Sequence, residues 1–421
     1  MKLHPFALLL LVAALPIVIF AVITVGTGLG LVAWQPPIVW SHSFGTGDSG
    51  VTLVCSDYSN IYAQGYSLGE SSLFLNKWSL QGGSIWSRVI SSVNGSPIGT
   101  SFTDMSVAVD GIYLVGFNYS GGVKQGILLK FDLTGIKLWE KELGSAIDSV
   151  FAATGGIYVT GNSLPITNQS YTGEVTWVRE YDFAGNVIWT QEYSNDTTFF
   201  NGVYASSTGI YISYYAVNPS RNLGPFLVRY DLNGAFTWMH LVELGVMNGV
   251  VSGIASDSTG EYLSGTSSLA TAYLSKIDPN GNQMWTSTIS SPDLTEIGTD
   301  SSLALAPSGA YVLLRTSADH QFLEKYDLNG HFLWKFQMQN PGQDPMVFRL
   351  ATRSDSVYFA GSVFSGGYNS AIIGSLSPDP SLVFFGLNPP WSLILLGGLI
   401  GGSVISVTTI RKLRSKRERP S

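Results

Sequence analysis

A tryptophan returns about every 49 residues behind one short phrase, an apolar or aromatic residue followed by Asp-x-x-Gly-x-x-x-Trp. Phe131-Asp132 leads through Gly135 to Trp139, Tyr181-Asp182 through Gly185 to Trp189, and Tyr230-Asp231 through Gly234 to Trp238. Ile277-Asp278 leads through Gly281 to Trp285 and Tyr326-Asp327 through Gly330 to Trp334, while Trp78-Ser79 leads through Gly82 to Trp86 in a degraded copy. Trp40 stands in front without its phrase, and Leu376-Ser377-Pro378-Asp379-Pro380 leads to Phe384 at the back. Seven intervals separate these eight positions, and a repeat of this period constrains the fold before any other feature is weighed.

A second signature falls once in each interval, as in Ile61-Tyr62, Ile112-Tyr113, Ile157-Tyr158, Ile210-Tyr211 and Val357-Tyr358, with Tyr262 and Tyr311 in the two remaining units. Each unit reads as four short strands rich in Val, Ile, Tyr, Phe and Trp, parted by Gly, Asn, Asp and Ser turns, with no stretch of helical period. Four strands in each of seven units predict an all-β chain, a seven-bladed β-propeller. Named A to D in chain order, the strands of one unit are expected at Met105–Val109, Ile112–Gly116, Ile127–Phe131 and Lys137–Glu142.

The Asp-x-x-Gly phrase lies at the C–D hairpin, where Asp bonds its own turn amides and Gly accepts a positive φ. An oxygen-rich metal loop needs several ligands close together, whereas each copy offers one carboxylate, so the phrase is read as a turn and no metal is expected. The seven tryptophans Trp40, Trp86, Trp139, Trp189, Trp238, Trp285 and Trp334 are read as anchors between neighbouring blades, since an indole buries a large apolar surface and asks for one acceptor.

Residues 6–34 carry no charge, long enough to span a bilayer; a retained signal anchor is favoured over a cleaved signal. Residues 392–410 form a second uncharged stretch, followed by six basic residues from Arg411 to Arg419. By the positive-inside rule that tail is cytoplasmic and the propeller extracellular. The expected layout is a transmembrane segment over 1–34, a proline linker over 35–37, the propeller over 38–386, a second proline linker over 387–391, a transmembrane helix over 392–410 and a basic tail over 411–421. Between the two segments stand 15 lysines and arginines against 28 aspartates and glutamates. So acidic a domain argues against nucleic acid or anionic lipid as its ligand. The single Cys55 cannot form an internal disulfide and reads as a small buried residue.

In four-stranded blades the D–A and B–C loops share one face, and the A–B and C–D turns share the other. The A–B turns are short, as at Asp110-Gly111 and Ser308-Gly309, whereas Asn162–Glu174 and Val217–Pro225 read as long B–C loops. Loops that vary on a rigid scaffold are where binding usually resides. Four glycosylation sequons, at Asn94, Asn118, Asn168 and Asn195, are all expected in loops of that variable face. Val39–Phe44 reads as a D strand without its own A, B and C, and Ala371–Ser377 as the last C strand. The N-terminal D strand is therefore expected to complete the final blade, which leaves no open sheet edge. Phe384 would then be a surplus copy, and the tight-turn face would look toward the membrane.

With its lysine, as at Lys130 and Lys325, the phrase from lysine to Trp139 or Trp334 resembles the prokaryotic beta-propeller repeat family of secreted and surface proteins, over Val39 to about Phe384. That resemblance implies an architecture and an extracellular tendency, with no common substrate. The repeat is also similar to the tryptophan-docking repeat of quinoprotein propellers, which would imply pyrroloquinoline quinone and alcohol oxidation. Seven units and a lone Cys55 depart from that pattern of more blades, a calcium site and a vicinal disulfide, and no cofactor is expected.

His4, His42, His240, His320 and His331 are scattered without metal-ligand spacing, and neither a nucleophile elbow nor a phosphate loop occurs. The expected role is a membrane-anchored surface module that binds a protein or glycan partner through its variable loops. Two alternatives are an envelope assembly scaffold and a tethered hydrolase or lyase in the central channel. Carboxylates converging from A strands would mark the enzyme, and Asp104 and Asp148 are the candidates because each opens an A strand.

Overall fold

A computed structural model describes residues 32–35, 38–377 and 381–384, apart from 46, 69–71, 91–99, 121–122, 144–145, 164–174, 194–196, 219–220, 243–249, 267–270, 290–302, 316–320, 339–344 and 366. Among these residues are seven four-stranded antiparallel sheets, each a blade of a seven-bladed β-propeller. The A strands are Ser49–Ser56, Thr100–Ala108, Ala146–Ala152, Thr197–Ala205, Val250–Asp257, Leu303–Ala306 and Pro345–Arg353, in blades 1 to 7. Blade 7 continues with Ser356–Ser365 and Tyr368–Leu376 and takes Ile38–Phe44 as its D strand, with Ile38 opposite Leu376 and Phe44 opposite Ala371. The N-terminal strand thus closes the ring, as the unpaired Trp40 required.

The repeated phrase turns out to be a joint between blades. Trp86 Nε1 and Lys77 Nζ both donate to the Leu133 carbonyl in the next blade's C–D turn, at 3.3 and 3.2 Å. Trp139 and Lys130 converge in the same way on Phe183 O, and Trp238 and Arg229 on Pro279 O. Trp40 donates to Leu80 O, so the closing strand docks onto blade 1 as the D strands of blades 1, 2 and 4 dock onto the blades that follow them. The glycine of each turn lies against the preceding blade's indole, Gly135 on Trp86, Gly185 on Trp139, Gly234 on Trp189, Gly281 on Trp238 and Gly330 on Trp285. Behind each indole sits the tyrosine of the same blade's B strand, from Tyr62–Trp86 to Tyr311–Trp334, and Tyr358–Trp40 across the closure.

The aspartate of the phrase serves its own turn. Asp132 Oδ1 accepts the amides of Thr134 and Ile136 at 2.8 and 2.9 Å, and Gly135, at φ 84°, donates back to the Asp132 carbonyl. Burial pushes the Asp132 carboxyl up, but the Ile136 amide and the Thr134 hydroxyl and amide outweigh it and hold the group below its ordinary range. Asp132→Ala is expected to cost about 1 kcal/mol, the worth of hydrogen bonds to an ionised group in an open turn, as read from a thermal melt.

Three expectations are corrected by tertiary pairing. Val217–Pro225 is not a long loop: Ile210–Asn218 and Arg221–Tyr230 run as one extended hairpin, with Asn218 opposite Arg221. Asn118 is not in a loop either; it lies in strand B of blade 2, between Thr100 and Gln125, only 2% exposed. Val32–Gln35, assigned to the first apolar segment and its linker, is a strand that pairs with Ser381–Phe384 in a two-stranded sheet of its own, while the strand of Trp40 fills the D slot of blade 7 and leaves Phe384 the surplus copy that was expected. Val32–Gln35 and Ser381–Phe384 fall in a separate compact unit from the propeller unit, Ile38–Pro378. No helix of the described residues is long and apolar enough to cross a membrane; of the expected spans over 1–34 and 392–410, all but residues 32–34 lie outside them.

Candidate functional site

The seven A strands enclose a central cavity of about 430 Å³. Strand A is the inner edge of each blade, so its outward N–H and C=O groups have no fifth strand to bond. Side chains from the neighbouring blade take up several of them. Asp104 of blade 2 accepts the Val150 amide of blade 3 at 3.0 Å and the Ser149 hydroxyl at 2.5 Å, and Ser149 Oγ in turn accepts the Val203 amide of blade 4 at 3.3 Å. Ser106 Oγ accepts the Ala152 amide, Thr352 donates to Leu305 O and Ser56 to Thr352 O.

A β-bulge at one shared position makes this lacing possible. The A–B register shifts after Val51, Phe102, Ile147, Phe200, Val251 and Val347, so that Leu53, Asp104, Ser149, Gly202, Gly253 and Arg349 occupy equivalent positions in six blades. A bulge places two residues opposite one and re-aims the side chains beyond it. Simple alternation cannot predict which of them then reach the channel.

Asp104 and Asp148 both line the cavity, and the structure adds Arg349, Ser252, Tyr204 and Cys55, none of which the sequence marked as channel groups. Burial pushes the Asp104 carboxyl up, partly offset by the bonds from Ser149 and Val150 and by the Arg349 charge. Burial also pushes the Cys55 thiol well up, and the nearby carboxylates of Asp104 and Asp57 push the same way. A thiol so held is a poor nucleophile. Part of the wall is apolar: the rings of Phe151 and Tyr204 lie 4.4 Å apart, and Leu305 and Ala351 line the same cavity.

Among the described residues no group of three His, Cys, Asp or Glu is placed to hold a metal ion. His42, in the D strand of blade 7, stacks on Trp78 at 5.4 Å, and exposed His331, in the C–D turn of blade 6, pairs with Asp327 at 2.9 Å. His4 and His320 lie outside the described residues, as do the sequons Asn94, Asn168 and Asn195. Of the four sequons only Asn118 is described, and its side chain is buried in strand B.

No family model matches the chain, and no curated protein matches its sequence. Solved structures match its shape. BamB from Moraxella catarrhalis is 13% identical with a TM-score of 0.46, over 81% of this chain and 97% of that one. A prolyl endopeptidase is 13% identical with a TM-score of 0.51, over 79% of this chain and 50% of that one. The polysaccharide lyase Uly1 is 10% identical with a TM-score of 0.48, over 78% and 90%. At such identities the likeness concerns the fold alone, and sites must be argued from this chain's own residues.

Proposed function

We propose that this chain is a membrane-anchored, extracellular binding module that presents its D–A and B–C loop face to a protein or glycan partner. The unequal use of the two faces is the observation that supports this reading. On the tight-turn face the glycines, tryptophans and turn carbonyls of successive blades are engaged with one another, so that face is occupied by holding the ring together. The connections on the opposite face follow no repeat in length or composition. Ile38 begins its strand, and Leu376 ends its strand, on the tight-turn face. Anchors attached beyond both ends would direct that face at the bilayer and the loops outward. The acidic balance of the segment between the anchors disfavours a nucleic acid partner.

Crosslinking and mass spectrometry of the full chain in native membranes tests the reading. Crosslinks to a partner are expected from residues 91–99, 164–174, 243–249 and 290–302. A variant in which 164–174 is shortened to a two-residue turn should lose partner crosslinks while keeping its melting temperature. Partner crosslinks confined to the Asp-x-x-Gly turns would sink the proposal.

The channel offers a second reading, a tethered hydrolase or lyase, which rests on Asp104 and Asp148 both lining the cavity. It is the weaker of the two, because Asp104 is already committed to the edge of blade 3.

A further inference from the structure

The lacing of the channel edge is uneven around the ring. In blades 3 and 4 the amides of Val150 and Val203 point out of their sheets and are met by Asp104 and Ser149 from the preceding blade. Val54, Ile254 and Leu303 hold equivalent register positions, opposite Ala63, Leu263 and Val312, each the residue after the B-strand tyrosine, as Val159 and Ile212 are opposite Val150 and Val203. Their amides therefore point into the channel too. The residues that should meet them cannot accept a hydrogen bond: Gly202 precedes Ile254, Gly253 precedes Leu303, and Arg349 precedes Val54. A Cβ at Gly253 would stand 3.0 Å from the Leu303 nitrogen, which locates that missing acceptor.

At the closure a donor faces a donor. Among the described residues Arg349 makes one hydrogen bond, to its own neighbour's carbonyl, Phe348 O, at 3.3 Å. Its guanidinium carries further N–H groups in a planar fork suited to a carboxylate. We propose that the channel wall formed by blades 5, 6, 7 and 1 binds a small organic acid, with Arg349 taking its carboxylate and the edge amides of Val54, Ile254 and Leu303 supplying the further donors along that wall. The opposite wall supplies the Phe151–Tyr204 pair for an apolar or aromatic body. The cavity volume lies within the range of small-molecule sites. One guanidinium balances one negative charge, and the Asp104 and Asp148 carboxylates that line the same channel oppose a dianion such as a phosphate monoester.

Calorimetry on the full chain in detergent, with 3-phenylpropionate, its neutral counterpart 3-phenylpropanol, and phenyl phosphate as probes, tests the site. The acid should bind saturably and the alcohol at least about tenfold more weakly, and Arg349→Gln should weaken acid binding roughly 10- to 100-fold, the worth of hydrogen bonds between charged partners. Gly202→Ser gives the Ile254 amide a hydroxyl, as Ser149 gives Val203, with its Cβ 3.2 Å from the Ile254 Cγ2 methyl, which must give by a few tenths of an ångström. It should weaken the acid several-fold at an unchanged melting temperature, and it decides the matter should Arg349→Gln fail to fold. Failure of the acid to bind, equal binding of acid and alcohol, or acid affinity untouched by a folded variant would overturn the site. Tighter binding of phenyl phosphate would overturn the carboxylate assignment.

Discussion

Gly234→Ala is expected to destabilise the propeller by about 3 kcal/mol, although it adds one methyl group in a surface turn. Two costs add. Gly234 sits at φ 81°, where a Cβ costs roughly 1–2 kcal/mol against the following carbonyl. Its Cβ would also stand 2.6 Å from Cδ2 and 2.7 Å from Cε2 of Trp189, and forcing an extra carbon into a packed contact costs typically ~1–3 kcal/mol. The ring cannot swing away freely, because it is held between Tyr158 and Tyr230 at 6.3 and 6.2 Å. Gly367→Ala is the control. That glycine has φ 92°, and a Cβ there would meet nothing within 4 Å, so it incurs the backbone cost alone. Thermal melts of the two variants should differ by the packing cost; equal destabilisation would mean that the glycine serves the turn and not the inter-blade joint.

The same joint explains which parts of the fold the sequence discloses. Turn, indole and B-strand tyrosine are local signals with fixed spacing, and each is read without knowing its neighbours. Val39–Phe44, a D strand without its own A, B and C, and Ala371–Ser377, read as the last C strand, therefore suffice to predict the closure. What escapes is decided by pairing at a distance. Pro225, with Gly224 before it, looks like a loop at Val217–Pro225 until Tyr215 is seen opposite Pro225 in an extended hairpin. Asn118 carries a perfect acceptor motif and is buried because strand B runs on to Ser120. The channel groups are hidden for a different reason. The bulges after Phe102, Ile147 and Val347 shift the parity of each A strand, so Arg349 and Asp104 reach one cavity from positions that alternation does not relate. Asp104 and Asp148 are legible only as residues that open A strands, and the hydrogen bonds of Asp104 show why that criterion is too coarse to name a catalytic pair.

Raising the pH from 5 to 9 is expected to weaken the fold through one residue above all. Blade 5 places Glu261 where other blades put Ile61, Ile112, Ile157, Ile210 and Val357, at the start of strand B beside the recurring tyrosine. Glu261 is 1% exposed. Burial, reinforced by the Asp257 carboxylate and only partly offset by Ser256 and the Arg229 guanidinium, pushes its carboxyl up to about 9. In the unfolded chain the same group titrates near 4.3, as glutamates ordinarily do. The folded state thus binds the extra proton throughout the interval. Stability from this group is full below the unfolded value and is lost as pH rises toward the folded one, at about 1.4 kcal/mol per pH unit. Over pH 5 to 9 the loss is at most on the order of 5 kcal/mol, since charging draws Arg229 closer and admits water. The turn aspartates act in the opposite sense: Asp132, Asp278 and Asp327 are held below their ordinary range and cost stability only when acid protonates them. Glu261→Gln should flatten the alkaline limb of the melting-temperature profile, and Glu261→Ile, which restores the residue of the other blades, should flatten it and raise the whole curve above pH 6. Asp104 and Glu180, also raised by burial, leave a shallower slope in both variants. A profile as steep in Glu261→Gln as in the parent would show that the carboxyl reaches water or Arg229 in the folded state, and that blade 5 tolerates its charge.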